Sequence, residues 1–187
     1  MSMNFISPIN QADFKEILTL SDKLLGAGYL DEMQLQKYLG DKHKTGIVSK
    51  SSKGEITGFQ LVLTCELDEL LQMSVSEHNC FKEYFSSKAP IGVIKTVGVN
   101  PEYKNQGIGT LLTSKGIEIL QKEATTIISM CWDQKDDTPF ARVLEKCNIH
   151  LIKTIPAYWE EDSLAKEYSC KICGEPPCLC AALIYEF

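Results

Sequence analysis

Two stretches of the chain combine residue types and spacings that suit chemistry. Between residues 170 and 180, the sequence CKICGEPPCLC places four cysteines close together. In the middle of the chain, TVGVNPEYKNQGIGTLL spans residues 96–112 and carries glycines at positions 107 and 109. Thiolates are ligands for borderline and soft metal ions, and a glycine-rich turn that opens a helix offers backbone amides to an anion. The first stretch therefore indicates a metal site, and the second an anion site.

The four C-terminal cysteines, Cys170, Cys173, Cys178 and Cys180, have the spacing C-x2-C-x4-C-x-C, and we refer to them as the cysteine cluster. Gly174 permits a tight turn after the first pair, and two prolines stiffen the loop before the second. Four thiolates fill the tetrahedral shell of a zinc ion and leave no open position, which is typical of a structural site. Iron at the same sulfurs is an alternative, and so are reduced cysteines with no metal or a redox pair.

Composition and charge narrow the class of protein. The apolar fraction of 44% and the charged fraction of 24% are ordinary for a globular domain. A net charge of -6 argues against a nucleic-acid partner, which needs a clustered basic face, and favours cationic small molecules. The chain shows neither the regions of a signal peptide nor an apolar run of membrane-spanning length. We expect a single domain over residues 1–187, located in the cytoplasm and without a membrane partner.

The other four cysteines lie in apolar segments. Because structural disulfides are rare in the cytoplasm, we expect the cysteines of this chain to be free, catalytic or metal-bound. We interpret Cys65, Cys80, Cys131 and Cys147 as buried small hydrophobic residues and not as ligands.

The glycines at 107 and 109 lie between a strand and a helix. PIGVIKTVGVNP is rich in valine and isoleucine, which favours a buried central strand ended by Pro101. GIGTLLTSKGIEILQKEA has helical spacing. Exposed amides and the helix dipole at its start suit a phosphate; relief of helix-to-sheet packing is the alternative role for the glycines. The segment contains neither GxGxxG nor G-K-[ST], so it is neither a dinucleotide fingerprint nor a P-loop.

Strands and helices alternate through the rest of the chain, which predicts a mixed α/β fold. Further strands are expected at NFISPIN, in the hairpin TGIVSKSSKGEITGFQLVLTCEL, and at TTIISMCW, IHLIKTIPAYW and CAALIYEF. Further helices are expected at QADFKEILTLSDKLLGAGYL, at EMQLQKYL after the N-cap Asp31, and at TPFARVLEKCN. Residues 68–87 carry no clear signal and are either a helix or a mobile loop, and the cysteine cluster falls between the last two strands.

The run V-G-V-x-P-x-Y-x-x-Q-G-I-G-x-x-L-L resembles the acetyl-coenzyme A motif of GCN5-related N-acetyltransferases, usually written [RQ]-x-x-G-x-[GA]. Strand, proline, loop and helix follow in the family's order and spacing, and the elements from residue 4 to residue 187 fit as well. The resemblance implies an α/β (mixed α+β) acyl-CoA N-acyltransferase fold, with a central mixed, mostly antiparallel sheet flanked by helices. Some members look as if they carry a similar C-terminal cysteine-rich insertion, in the connection that borders the acceptor pocket.

The resemblance also implies which residues bind the cofactor acetyl-coenzyme A. The amides of Val97, Gly98 and Val99 would face the pantetheine arm and the thioester, and those of residues 105–110 would hold the pyrophosphate. Lys104 stands where the motif usually has arginine or glutamine, but the phosphate contacts are largely main-chain. The implied cofactor-binding set is Val97, Gly98, Val99, Lys104, Asn105, Gln106, Gly107, Ile108, Gly109 and Thr110.

One departure from the family concerns the proton donor. Many members carry a tyrosine in a segment like Y-E-K-x-G-F, whereas this chain has L-E-K-C-N-I, with Leu144 at the tyrosine position. Cys147, Tyr158, Tyr168 or water would then protonate the departing thiolate. The alternative is a zinc-stabilised interaction module of the same fold that binds coenzyme A with little transferase activity.

The implied reaction is direct attack of a small-molecule or peptide amine on the thioester. Asp133, just past TTIISMCW, is placed by sequence order to act as the base, although a loop aspartate or a helix cap explains it as well, as it does Asp136 and Asp137. The segment W-E-E-D at 159–162 is either a solvated acidic turn or a group that attracts a cationic acceptor. The oligomeric state stays open, a dimer included.

Overall fold

The computed structural model describes residues 5–74, 78–134 and 138–187. By internal contacts the chain divides into two compact units, Met1–Leu63 with Ile94–Leu120 and Thr64–Val93 with Gln121–Phe187. Within the described ranges, every helix is too short or too polar to cross a bilayer.

The described residues form seven strands and seven α-helices. The strands are β1 (Phe5–Pro8), β2 (Lys44–Lys50), β3 (Ile56–Cys65), β4 (Ile91–Val99), β5 (Thr126–Trp132), β6 (His150–Ile155) and β7 (Ala182–Glu186). The helices are α1 (Phe14–Leu25), α2 (Glu32–Gly40), α3 (Leu67–Met73), α4 (His78–Phe85), α5 (Ile108–Leu120), α6 (Pro139–Lys146) and α7 (Glu160–Lys166).

The first unit contains the strand order β1-β2-β3-β4. β1 pairs antiparallel with β2, and β2 pairs antiparallel with β3, so the predicted hairpin is confirmed. Its turn closes where the Ser51 amide donates to the Glu55 carbonyl (2.9 Å). Helix α2 begins as predicted, because the Asp31 carboxylate accepts from the Gln34 amide (2.7 Å) and the Gln34 side chain accepts from the Asp31 amide (2.9 Å).

Helices cover both faces of the strands in this unit. On one face, apolar residues of α1 and α2 pack against Val48, Phe59 and Leu61. On the other, Ile108 and Leu112 of α5 pack against Ile47. Because neighbouring strand residues point to opposite faces, Val48 packs in the core under α1 and α2, and Ile47 packs in the core under α5.

The second unit contains the strand order β5-β7-β6, with both pairs antiparallel. At one end of β7, Ala182 pairs with Trp132 of β5 and with Ile155 of β6. At the other end, the Glu186 carboxylate accepts hydrogen bonds from Tyr84 (2.7 Å) and Lys88 (2.7 Å), which ties helix α4 and the residues after it to β7.

Two segments without a predicted secondary structure, residues 68–87 and 160–166, contain helices. Residues 68–87, which carry no clear signal, contribute to α3 and α4, with residues 75–77 outside the described part. The acidic segment after Trp159 forms the first turn of α7, a helix that the sequence does not predict, and Glu161 in it is exposed. Carboxylates stabilise the positive end of a helix dipole, which explains why Glu160, Glu161 and Asp162 open a helix.

Candidate cofactor and metal sites

The end of β4 is fixed by backbone and side-chain hydrogen bonds. The Asn100 amide donates to the Thr57 carbonyl of β3 (2.9 Å). The Asn100 side-chain oxygen accepts from the Glu102 amide (3.2 Å) and caps a 3-10 turn over Pro101–Tyr103. The strand therefore stops at a defined point, as Pro101 predicts.

The 3-10 turn is held by a second contact. The Tyr103 hydroxyl donates to the Glu55 carboxylate in the β2–β3 turn (2.5 Å), and this hydrogen bond raises the pKa of Tyr103. The turn that precedes the glycines is thus attached to the hairpin and not only to its own strand.

Residues 104–107 are exposed and lead into α5 through two left-handed backbone conformations. Asn105 has φ 60° and Gly107 has φ 78°. A Cβ built on Gly107 would meet nothing within 4 Å, so the space in front of this residue is open. The first helical hydrogen bond runs from the Leu111 amide to the Gly107 carbonyl (2.9 Å). The first turn of a helix generally presents backbone amides at its start, which is the arrangement that binds anions.

The strand segment before the turn depends on two glycines that face opposite sides. A Cβ on Gly98 would lie 2.5 Å from Phe59 Cε1 and 3.1 Å from Leu24 Cδ1. A Cβ on Gly58 would lie 2.8 Å from the Gly98 carbonyl oxygen. Gly58 was missed by the sequence analysis. A glycine inside a strand pattern is the signal that marks such a close backbone approach.

The predicted cofactor-binding residues flank the 3-10 turn in a single stretch of the first unit. Lys104, Asn105, Gln106 and Gly107 are exposed, Val97, Val99, Gly109 and Thr110 are half-buried, and Gly98 and Ile108 are buried. The exposed turn and the start of α5 suit an anion, and the roles of the individual residues remain predictions.

The cysteine cluster is assembled in the second unit. The four Sγ atoms of Cys170, Cys173, Cys178 and Cys180 all lie within 4.8 Å of one another. The Sγ–Sγ distance is 3.7 Å for Cys170–Cys180 and 3.2 Å for Cys173–Cys180. Zinc–sulfur bonds of about 2.3 Å in a tetrahedron imply sulfur–sulfur distances of roughly 3.8 Å. The donor set and its spacing therefore fit a tetrahedral zinc ion.

The first half of the cluster is a tight knuckle. Cys170 and Gly174 exchange two backbone hydrogen bonds (2.8 and 2.9 Å), and Gly174 has φ 82°. The Ile172 amide points at Cys170 Sγ (3.4 Å). Burial opposes the Cys170 thiolate, but amide hydrogen bonds from Cys173 and Ile172 outweigh it and lower the pKa of Cys170.

The second pair is more strongly desolvated. Burial raises the pKa of Cys178 to about 11, and burial also raises the pKa of Cys180, with neighbouring thiols adding to the rise. A divalent cation reverses this penalty, because it stabilises several thiolates at once.

Helix α7 anchors the second pair. The Cys178 amide donates to Ser163 Oγ (2.8 Å), and the Tyr158 amide donates to the Cys180 carbonyl (3.1 Å). Ser163 is fully buried, although a serine in an acidic segment gave no sequence signal for this role.

Asp133 directly follows β5, and its amide donates to the Ala181 carbonyl (2.9 Å). Burial raises the pKa of Cys131 to about 12, and the charge of the Asp133 carboxylate adds to the rise. The carboxylate therefore lies near Cys131 at the end of the strand, and its role as a base remains a prediction. Asp136 and Asp137 lie outside the described residues.

The position of the usual tyrosine is closed to solvent. Leu144 is 0% exposed in α6. Of the candidate donors, Cys147 and Tyr158 are buried. Burial, followed by the charge of Asp162, raises the pKa of Tyr168, so its phenol stays protonated at neutral pH.

Of the cysteines outside the cluster, two are as buried as expected for small hydrophobic residues. Cys65 and Cys147 are buried, and Cys131 is half-buried. The side chain of Cys80 lies outside the described residues.

Comparison with known proteins gives a family and a fold. The sequence matches the Acetyltransferase (GNAT) family over residues 14–149, and no curated protein matches it. NAA60 of Arabidopsis thaliana in complex with acetyl-CoA has a TM-score of 0.70 at 14% identity, covering 99% of this chain and 98% of that one. The ribosomal-protein-S18-alanine N-acetyltransferase of Escherichia coli has a TM-score of 0.64 at 14% identity, covering 99% and 93%. An agmatine N-acetyltransferase has a TM-score of 0.63 at 11% identity, covering 99% of both chains.

At these identities the solved structures show the fold alone. The mixed α/β, acyl-CoA N-acyltransferase fold predicted from the sequence is confirmed. The family resemblance, which depended on residues 97–112, is confirmed by a match that extends far beyond them.

Proposed function

The chain belongs to the Acetyltransferase (GNAT) family, and from this premise we propose that it transfers an acetyl group from acetyl-coenzyme A to an amine. One observation carries the proposal: β4 ends in a capped turn that delivers Gly107, with open space in front of it, to the start of α5. Backbone amides at such a helix start bind pyrophosphate without any particular side chain. Lys104 in place of arginine or glutamine therefore does not weaken the proposal.

The residues of β4 would act on the reacting end of the cofactor. The amides of Val97, Gly98 and Val99 would hold the pantetheine arm and stabilise the oxyanion that forms when the amine attacks the thioester carbonyl. Oxyanion stabilisation is usually the largest catalytic contribution in acyl transfer. The carbon–sulfur bond then breaks, the amide forms, and the thiolate takes up a proton.

Proton transfer requires a general base and a proton donor. Asp133 would accept the proton that the ammonium form of the acceptor loses, since a carboxylate near the amine can act as a general base. With Leu144 at the tyrosine position, Tyr168 or water would protonate the thiolate.

The cofactor claim is tested with a matched pair of variants at one position. Gly107→Glu puts a carboxylate into the open space where the pyrophosphate would lie, and should abolish acetyl-coenzyme A binding in calorimetry. Gly107→Ala carries the same backbone strain but adds no charge and no contact within 4 Å, so its affinity should fall by less than about tenfold. Wild-type affinity in a folded Gly107→Glu variant would remove the central claim.

The cysteine cluster would hold a structural zinc ion at the rim of the acceptor pocket. Support comes from the four converging Sγ atoms and from the amide donors around them. Zinc bound by four thiolates has no site for a water, so it would supply stability and not chemistry. Elemental analysis of purified protein should give about one zinc per chain; iron in its place would change the metal but not the structural role.

The acceptor class is a small-molecule or peptide amine, preferably cationic. The net charge of -6 favours cationic acceptors. The names of the similar proteins span a ribosomal-protein alanine and agmatine, so they support an amine in general. Thioester consumption with a mixed amine panel identifies the acceptor. We further propose a single cytoplasmic domain that needs neither nucleic acid nor membrane, and leave a dimer open.

A second function, an interaction module that binds coenzyme A without efficient transfer, is favoured by the fully buried Leu144. The same panel separates the two functions. Calorimetric binding of acetyl-coenzyme A without thioester consumption for any amine would support the module and contradict the enzyme.

A further inference from the structure

The two tryptophans of the chain contact each other next to the cysteine cluster. Trp132 is the last residue of β5, and Trp159 immediately precedes α7. Their ring centroids are 5.9 Å apart with an interplanar angle of 78°, an edge-to-face pair. Trp159 also packs against the group of buried residues formed by Cys170, Cys178 and Cys180. Trp159 therefore contacts both the cluster and the end of β5.

The backbone around Trp159 is attached to the second cysteine pair on both sides. Tyr158, one residue before, donates its amide to the Cys180 carbonyl (3.1 Å). Ser163, one turn after, donates its amide to the Trp159 carbonyl (2.9 Å) and accepts from the Cys178 amide at its Oγ (2.8 Å). Whatever fixes Cys178 and Cys180 thereby fixes Trp159.

At the other end of these contacts, Trp132 lies next in sequence to Asp133, the proposed general base. Trp132 is followed directly by Asp133, and both residues are half-buried. An indole beside a carboxylate is suited to an ammonium group, through cation–π attraction and charge. Displacing the Trp132 ring would therefore alter acceptor binding without touching the cysteines.

We propose that Trp159 is a positioning residue that transmits metal occupancy of the cysteine cluster to Trp132, and so sets the affinity for the amine acceptor. With metal bound, Cys178 and Cys180 hold Trp159 edge-on to Trp132. Without the metal, no bond holds the four sulfur atoms together. Cys178 and Cys180 then become more mobile, and the two indole rings separate. This rests on the proposed acetyltransferase function only for its acceptor part, because the coupling of the two indoles to the metal is independent of activity.

The first experiment follows tryptophan fluorescence of the full chain as zinc is removed by a chelator and then restored. In Trp159→Phe and Trp159→Ala, the remaining signal comes from Trp132 alone. We expect the Trp132 emission to respond to zinc when phenylalanine keeps an aromatic ring at position 159, and not to respond when alanine removes it. Leu179→Ala, which alters an exposed side chain inside the cluster loop, is the matched control and should leave the wild-type response unchanged.

An equal zinc response of Trp132 in the Trp159→Phe and Trp159→Ala variants overturns the proposal, because the signal would then bypass position 159. So does a protein that binds no metal at all. Far-UV circular dichroism and acetyl-coenzyme A calorimetry check that each variant is folded, so that loss of response cannot be confused with unfolding.

The second experiment measures acceptor KM and kcat with agmatine, spermidine and an alanine-terminated peptide. Zinc removal should raise the wild-type KM of the accepted amine by up to about tenfold, the scale of one aromatic pair contact, with little change in kcat. In Trp159→Ala the KM should already be raised, and zinc removal should add less than about twofold. A metal effect on KM that persists in full in Trp159→Ala contradicts the proposal. If none of these three amines is acetylated, the amine accepted in the mixed panel replaces them; if the whole panel fails, the proposed function fails, while the fluorescence experiment still decides the coupling.

Discussion

Substituting Gly98 by alanine should destabilise the protein through one identifiable contact. The new Cβ would lie 2.5 Å from Phe59 Cε1, whereas carbon atoms pack at about 3.5–4.0 Å. The ring or the strand must therefore shift by about 1 Å. Phe59 is 0% exposed and surrounded by the core of the first unit, and overpacking of such a site costs about 1–3 kcal/mol. We expect the free energy of unfolding to fall by that amount.

A double-mutant cycle in urea measures whether Phe59 is the cause. Phe59→Leu removes the Cε1 atom and should itself cost about 0.5–3 kcal/mol. In that background Gly98→Ala should cost at least about 0.5 kcal/mol less than in the wild type, which is the coupling expected of residues in direct contact. Gly107→Ala is the control, because its Cβ meets no atom within 4 Å and only the backbone strain at φ 78° remains. Additive effects of the Gly98 and Phe59 substitutions would show that the close contact does not explain the glycine.

Three further perturbations have defined outcomes. Glu186→Gln should lower the free energy of unfolding at neutral pH by about 1–3 kcal/mol. Hydrogen bonds from Lys88 and other donors outweigh burial and lower the pKa of Glu186 from 4.5, so the difference between wild type and variant in urea titrations should shrink as the pH falls below that value. A difference that is absent at neutral pH, or that does not change with pH, would contradict this role of the carboxylate. Gln60→Met should raise stability by about 1 kcal/mol, since neither amide atom of this fully buried side chain has a partner in the described chain; a lower melting temperature would contradict it. Cys173→Ser combined with Cys178→Ser should remove zinc and lower the melting temperature while acetyl-coenzyme A affinity stays near wild type, and an unchanged melting temperature would refute the structural role of the metal.

The features that the sequence predicts correctly depend on neighbouring residues. Asp31 caps α2 through a bond to Gln34 three residues away, and Pro101 ends β4 because it cannot continue a strand ladder. The convergence of the four cysteine Sγ atoms belongs to the same class, since all four residues lie between residues 170 and 180. Local spacing is therefore sufficient to single out both stretches as candidate sites.

The features that the sequence does not predict depend on register or on distant contacts. A glycine inside the β3 pattern signals a close backbone approach, but the approaching atom, the Gly98 carbonyl oxygen, is set by strand register and cannot be read from β3 alone. The edge-to-face pair of Trp132 and Trp159 joins two segments that are separated by a helix and a strand. Helix α7 was missed because Trp159 at its N-cap makes no side-chain capping bond, so the usual start signal is absent.

The placement of the two sites in different compact units separates their experimental signatures. The glycine turn belongs to the unit that contains Ile94–Leu120, and the cysteine cluster to the unit that contains Gln121–Phe187. Each is held by hydrogen bonds within its own unit, at Asn100 for the turn and at Ser163 for the cluster. Metal removal should therefore act on the residues attached to Cys178 and Cys180, which include Trp159, while the amides around Gly107 keep their geometry. If zinc removal instead weakened acetyl-coenzyme A binding as strongly as acceptor binding, the metal would be supporting the whole fold, and its assignment to the acceptor side would fail.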